Sequence, residues 1–174
     1  MDIRASKIIN SDTGKLQGSA VVYGSKSQDL GGFVEVIEQG AFSQHLATQP
    51  DIRALYEHDG KELLGRTTSG TLLINEDSQG VHVEIQPPST RAGEDCKELV
   101  KRGDITGMSF GFVALEDRWD HNTTPSTRYV IRAELREVTI TALPAYKASS
   151  VTLRSLTASK QSDNNALWLN YLEA

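Results

Sequence analysis

In the stretch Gly107-Met108-Ser109-Phe110-Gly111-Phe112-Val113-Ala114-Leu115, small residues alternate with bulky apolar ones as far as Phe112. As an extended strand it alternates, so that Met108, Phe110 and Phe112 point to one side while Gly107, Ser109 and Gly111 point to the other. The bulky side can anchor the strand in a core. The opposite side is a trough, because the same-face neighbours of Ser109 carry no side chains, and a peptide carbonyl could approach its Oγ there. A half-buried strand whose small face lies under another element gives the same pattern. The rest of the chain has to choose between the two.

Working outward, strand-like runs separated by turn signals are predicted at 16–23, 33–37, 52–56, 71–74, 81–85, 105–115, 129–135 and 138–142. Only two interior stretches read as helical. Residues 40–47 are short, whereas 90–102 place Ala92, Cys96, Leu99 and Val100 at helical spacing before Gly103 as a stop. That is too many strands and too few crossover helices for a parallel α/β sheet. The pattern predicts a mainly β (α+β) protein, an antiparallel barrel or sandwich with peripheral helices. Residues 119–127 read as a polar loop. Beyond 156 a flexible polar tail is predicted over 157–174, with a short helical stretch carrying Trp168, Leu169 and Leu172, so the folded domain is placed at 1–156.

Composition narrows the function. A chain of 174 residues, 38% hydrophobic and 24% charged, suits one domain with a real core. Its apolar runs are too short to cross a bilayer, and Met1-Asp2-Ile3-Arg4-Ala5 lacks an apolar signal core, so a cytoplasm-like compartment without a membrane is expected. A single cysteine excludes an internal disulfide. A formal charge of −5 without a Lys/Arg cluster argues against a nucleic-acid surface. The expected partners are proteins or small molecules.

Gly107 to Gly111 formally matches the Gly-x-Ser-x-Gly elbow of α/β-hydrolases. That elbow needs a strand, a sharp turn at the serine and then a helix, with an acid and a histidine following in chain order. Here the sequence continues as strand, and the only later histidine, His121, lies in a polar loop.

If Ser109 is a nucleophile it needs a base, and the choices are His45, His58, His82 and His121. His58 follows Ile52, Ala54 and Tyr56 in parity at a strand end, just before Asp59-Gly60, where a rigidly held imidazole of pKa ~6.5 could reach a cleft. Its neighbours Glu57 and Asp59 point to the other face. His82 reads as a surface residue between Val81 and Val83, and His45 sits on the short helix. A third group could come from Glu137, because the apolar face uses odd positions in 129–135 and even positions in 138–142. Parity therefore breaks at Arg136-Glu137, and a bulge there can re-aim a side chain. A solvated Arg-Glu pair at a strand junction is the competing reading. Cys96, the rival nucleophile, falls on the apolar stripe of its helix and reads as core. The histidines lack metal-ligand spacing, and Asp117, Asp120 and His121 share only a loop, so no metal or cofactor is expected.

Several blocks in one order resemble the tailed-bacteriophage prohead proteases, the capsid maturation proteases: Gly18 to Gly24, Glu38 to Phe42, Leu55-Tyr56-Glu57-His58-Asp59, Leu64-Gly65-Arg66, Gly103 to Phe112, and Leu135 to Tyr146. The resemblance implies the fold of herpesvirus assemblins, a closed β-barrel with surrounding helices. It implies that His58 and Ser109 are the catalytic pair and Glu137 a third member. It further implies a serine endopeptidase that works inside the viral procapsid in the host cytoplasm. Its substrates would be the scaffolding protein or the scaffold-like region of the major capsid protein, and itself, with self-association a further expectation. The rival expectation is a noncatalytic procapsid or scaffold component that keeps the protease fold for assembly.

Overall fold

A computed structural model describes residues 9–10 and 14–142; the tail expected over 157–174 and the domain end placed at 156 lie outside them. In chain order the elements are β1 (Ile9–Asn10), β2 (Leu16–Val22), β3 (Phe33–Ile37), α1 (Ser43–Ala47), β4 (Arg53–Tyr56), β5 (Asp59–Arg66), a 3₁₀ turn (Thr67–Ser69), β6 (Leu72–Glu76), β7 (Gly80–Ile85), α2 (Arg91–Arg102), β8 (Gly107–Asp120) and β9 (Ser126–Thr141). The molecule is mainly β with few helices, as the strand-rich reading requires.

Two sheets form. The first is antiparallel, in the order β1-β2-β7-β6. The second is organised around β9, the longest strand, which takes β8 along one edge from Gly107 opposite Thr141 to Asp120 opposite Thr127. Its other edge is shared. β3 runs parallel to the first part of β9, Phe33 opposite Ser126, and β4 runs parallel to the last part, Arg53 opposite Glu137. Between them the chain steps out into α1, and two amides of β9 that would otherwise lack strand partners are met from that excursion. The Ala133 N–H donates to the Ala41 carbonyl at 2.9 Å, and the Leu135 N–H donates to His45 Nδ1 at 3.1 Å.

The expectation of a closed antiparallel barrel is corrected by this pairing: among the described residues the strands make two sheets that do not close, and two of the pairs are parallel. The reason is the length of β9. At 16 residues it outruns any one of its short partners on that edge, so two successive strands of the same direction share it.

The core contains Phe42, Ile52, Leu64, Leu72, Leu135 and Ile140, all under 2% exposed, with Cys96 and Val100 of α2 packed into the same cluster. Burying each large aliphatic or aromatic side chain contributes roughly 1.5–3 kcal/mol. The alternation of β8 is as expected. Met108 and Phe112 are buried, and Phe110 packs on the core with its ring 6.2 Å from Phe42 in an edge-on contact. α2 also forms where its periodicity places it, with the Thr90 hydroxyl accepting the Gly93 N–H and Gly103 closing it at φ 81°.

Three local expectations are revised. The loop expected over 119–127 is shorter, 121–125, because β8 continues to Asp120 and β9 starts at Ser126. Here the ribbon is held by a buried cation instead of apolar alternation: the Arg128 guanidinium lies 3.1 Å from Glu35 Oε2 and 2.6 Å from Asp117 Oδ2, beside Trp119, whose ring is tilted against that of Phe33 at 5.1 Å. The runs 129–135 and 138–142 are one strand. β5 has no counterpart in the sequence reading, since Asp59-Gly60-Lys61-Glu62 lacks strand-forming residues; of these only Asp59 stands opposite a β4 residue, Tyr56, before pairing resumes at Leu63 opposite Leu55.

Candidate active site

The β4–β5 hairpin turns through two residues, Glu57 and His58, with Tyr56 opposite Asp59. Their φ angles are 53° and 58°, the pair of positive values that a type I′ hairpin turn requires and that Asn and Gly normally fill. Placing two other residues there costs of order 1–3 kcal/mol each. The end of β9 holds them. The Glu57 N–H donates to the Ile140 carbonyl at 3.0 Å, and the Glu57 carboxylate accepts the Ala142 N–H at 2.7 Å and the Thr141 hydroxyl at 2.9 Å. The His58 N–H donates to Thr139 Oγ1 at 3.0 Å, and that hydroxyl donates to the Leu55 carbonyl at 3.0 Å. Strand parity from Ile52 is therefore not what aims His58, contrary to expectation. The turn does.

That turn sets the imidazole against Glu137, with Nδ1 2.7 Å from Oε1 and the two side chains only 13% and 22% exposed. A carboxylate oxygen accepts, so Nδ1 is the donor, and in the neutral imidazole Nε2 is then the nitrogen that carries the lone pair. Nε2 is buried and has no hydrogen-bond partner among the described residues. Glu137 faces His58 because the strand is bulged where parity breaks. Gly111 stands opposite Glu137 and Phe112 opposite Leu135, which leaves Arg136 unpaired and exposed. Leu135 and Val138 consequently both enter the core while Glu137 stays on the trough side.

Ser109 stands on β8 directly opposite Thr139, the residue that holds the His58 backbone, and two places from Gly111, which is opposite Glu137. The serine is buried, at 6% exposure. No Ser109–His58 hydrogen bond is formed in this state, since Nε2 is unpartnered. Such contacts are often long in an unliganded hydrolase and tighten with substrate.

Residues 1–163 match the family of caudovirus prohead serine proteases. The chain belongs to that family. It is 28% identical over 142 residues to the prohead protease of Enterobacteria phage HK97, a match covering 79% of this chain and 59% of that protein. The chain thus spans about three fifths of the length of the relative it matches. No solved structure matches it significantly.

The remaining candidates in this prohead protease family member are occupied elsewhere. His45 Nδ1 accepts a β9 amide, and burial lowers its pKa against the opposing pull of Glu134. His82 Nδ1 lies 2.9 Å from Ser19 Oγ, and its Nε2 lies 3.1 Å from Asp77 Oδ2. His121 stacks on Trp119, with Nδ1 3.2 Å from Ser126 Oγ. Burial, with a smaller push from Glu57, raises the Cys96 thiol to about 12, so almost none of it is thiolate at neutral pH. Asp117 serves Arg128, and Asp120 accepts the Asn122 N–H.

Sequence reasoning missed Thr139 and Glu57 as the residues that hold the turn. The sequence carries no local signal for this turn, because Glu57-His58 is not a usual occupant of a two-residue hairpin loop and the run after it lacks strand-forming residues.

Proposed function

We propose that the chain is a serine endopeptidase in which Ser109 is the nucleophile, His58 the general base and acid, and Glu137 the carboxylate that orients the imidazole. The observation that carries this reading is the 2.7 Å His58–Glu137 contact, with Nε2 left without a hydrogen-bond partner and Ser109 standing opposite Thr139, whose hydroxyl holds the His58 backbone. In the reaction Ser109 Oγ attacks the scissile carbonyl carbon while its proton passes to Nε2. The resulting imidazolium is stabilised across Nδ1–H by Glu137, and Nε2 returns the proton to the departing amine. Water then repeats the sequence on the acyl-serine, releasing the acid and regenerating Oγ–H.

Family membership supports substrates within the procapsid: the scaffolding protein or the scaffold-like region of the major capsid protein, and the chain itself. The test is cleavage of capsid protein, with casein as a general substrate, by the parent chain and by Ser109→Ala. Loss of the nucleophile should reduce turnover by on the order of 10⁶ with folding retained. Equal processing by both would end this reading.

A further inference from the structure

Glycine weakens a strand interior, so Gly111 in β8 calls for a reason. Its φ is not in the left-handed region, so the backbone there would accept any residue. The reason is space, and the space belongs to one side chain. A Cβ at Gly111 would stand 2.8 Å from Glu137 Cγ and 3.3 Å from both Cδ and Oε1, and these are its three nearest atoms. At Gly65, Gly80 and Gly93 the nearest atom to such a Cβ is instead a backbone carbonyl oxygen, at 2.7, 2.0 and 2.0 Å. Those glycines keep segments of chain together. At Gly111, by contrast, the atom that such a Cβ would meet first belongs to a side chain.

That side chain leaves β9 opposite Gly111 and ends with Oε1 2.7 Å from His58 Nδ1, so its methylenes lie across the bare Cα of Gly111. We propose that Gly111 is a positioning residue that acts through Glu137, its missing Cβ leaving the space over β8 in which the Glu137 side chain lies while its carboxylate holds His58. This deepens the proposed serine-protease reading and rests on it. Because Glu137 is a flexible side chain, a methyl group at Gly111 would be relieved by rotating it away. Folding would survive, and the Nδ1 contact would be lost.

The test is a double-mutant cycle of Gly111→Ala and Glu137→Ala, read in two ways. The first readout is independent of turnover: ring ¹⁵N NMR of His58 in the full chain near neutral pH. The parent should show Nδ1 protonated and Nε2 bare, and Gly111→Ala should lose that single-tautomer signature to the same degree as Glu137→Ala. The second readout is kcat for casein cleavage. It should fall about 10²-fold in Gly111→Ala with KM little changed, and adding Gly111→Ala to Glu137→Ala should change it less than about twofold. An unchanged ring signature in Gly111→Ala, or a further loss when it is added to Glu137→Ala, overturns the assignment. If Gly111→Ala alone fails to fold, the pair with Glu137→Ala must restore folding, and failure of both overturns it too. Intact proteolysis in Ser109→Ala would sink the protease reading instead, and the ring signature would still decide the role of Gly111.

Discussion

Replacing Thr139 by valine removes the hydroxyl that ties the backbone of His58 itself to the strand facing the proposed nucleophile. Thr139 is fully buried, and its Oγ1 both accepts the His58 N–H and donates to the Leu55 carbonyl, each at 3.0 Å. Valine keeps the shape and the β-branching that a strand favours, so backbone propensity is not at issue. What changes is that one donor and one acceptor lose their partner, at about 1–3 kcal/mol for each group left unsatisfied. Because the turn is only partly buried and water can serve His58 N–H, the combined cost should be about 2–4 kcal/mol. For a domain of this size that lowers Tm by roughly 5–15 °C. Turnover should suffer separately. Glu57 and His58 hold positive φ values only while β9 restrains them, and releasing the turn lets the imidazole drift from Glu137, costing about 10²-fold in kcat for a displacement near 1 Å. The assays are thermal unfolding and cleavage of casein. Thr139→Ser, which keeps the hydroxyl and loses a methyl group, should restore kcat to within a few-fold while still costing about 1 kcal/mol of stability. A valine variant as active as the parent would refute the clamp.

Glu137→Gln should retain folding and reduce turnover less than Ser109→Ala does, because an amide can still touch Nδ1 but fails to stabilise the imidazolium; a loss equal to that of the serine variant would make Glu137 more than an orienting group. His58→Ala should be as damaging as Ser109→Ala, and the double variant little worse than either, because residues that act as a unit are not additive; a dispensable His58 alongside an essential His82 or His121 would move the base elsewhere. Burial outweighs the pull of Arg128 and holds the Glu35 carboxyl up to about 7, so its contribution to stability is full below its unfolded pKa of 4.5 and is lost as pH rises through 7. Glu35→Gln should therefore flatten the decline in urea-unfolding free energy across that window, and parallel slopes for the two proteins would remove Glu35 as its source.

Periodicities in the sequence carried most of the fold class and two of the three site residues' settings. Met108, Phe110 and Phe112 alternate with glycine and serine, a two-residue period that continues past Ser109 as strand, which separates this chain from the strand-turn-helix of an α/β-hydrolase elbow. The parity break at Arg136-Glu137 is equally local, since one inserted residue is enough to turn Glu137 out of the core. The stripe of Ala92, Cys96, Leu99 and Val100 with Thr90 and Gly103 at its ends specifies α2 by the same kind of short-range rule. Tertiary structure alone decided the rest. That β3 and β4 share one edge of β9, and so leave no closed antiparallel barrel, depends on matching strand lengths across 80 to 100 residues of sequence, which no local period records. The aim of His58 depends on hydrogen bonds from Ile140, Thr139, Thr141 and Ala142 that hold two non-glycine residues at positive φ, against their own backbone preference. A strained conformation is invisible in the residues that adopt it, because the restraint lies in the partners that impose it.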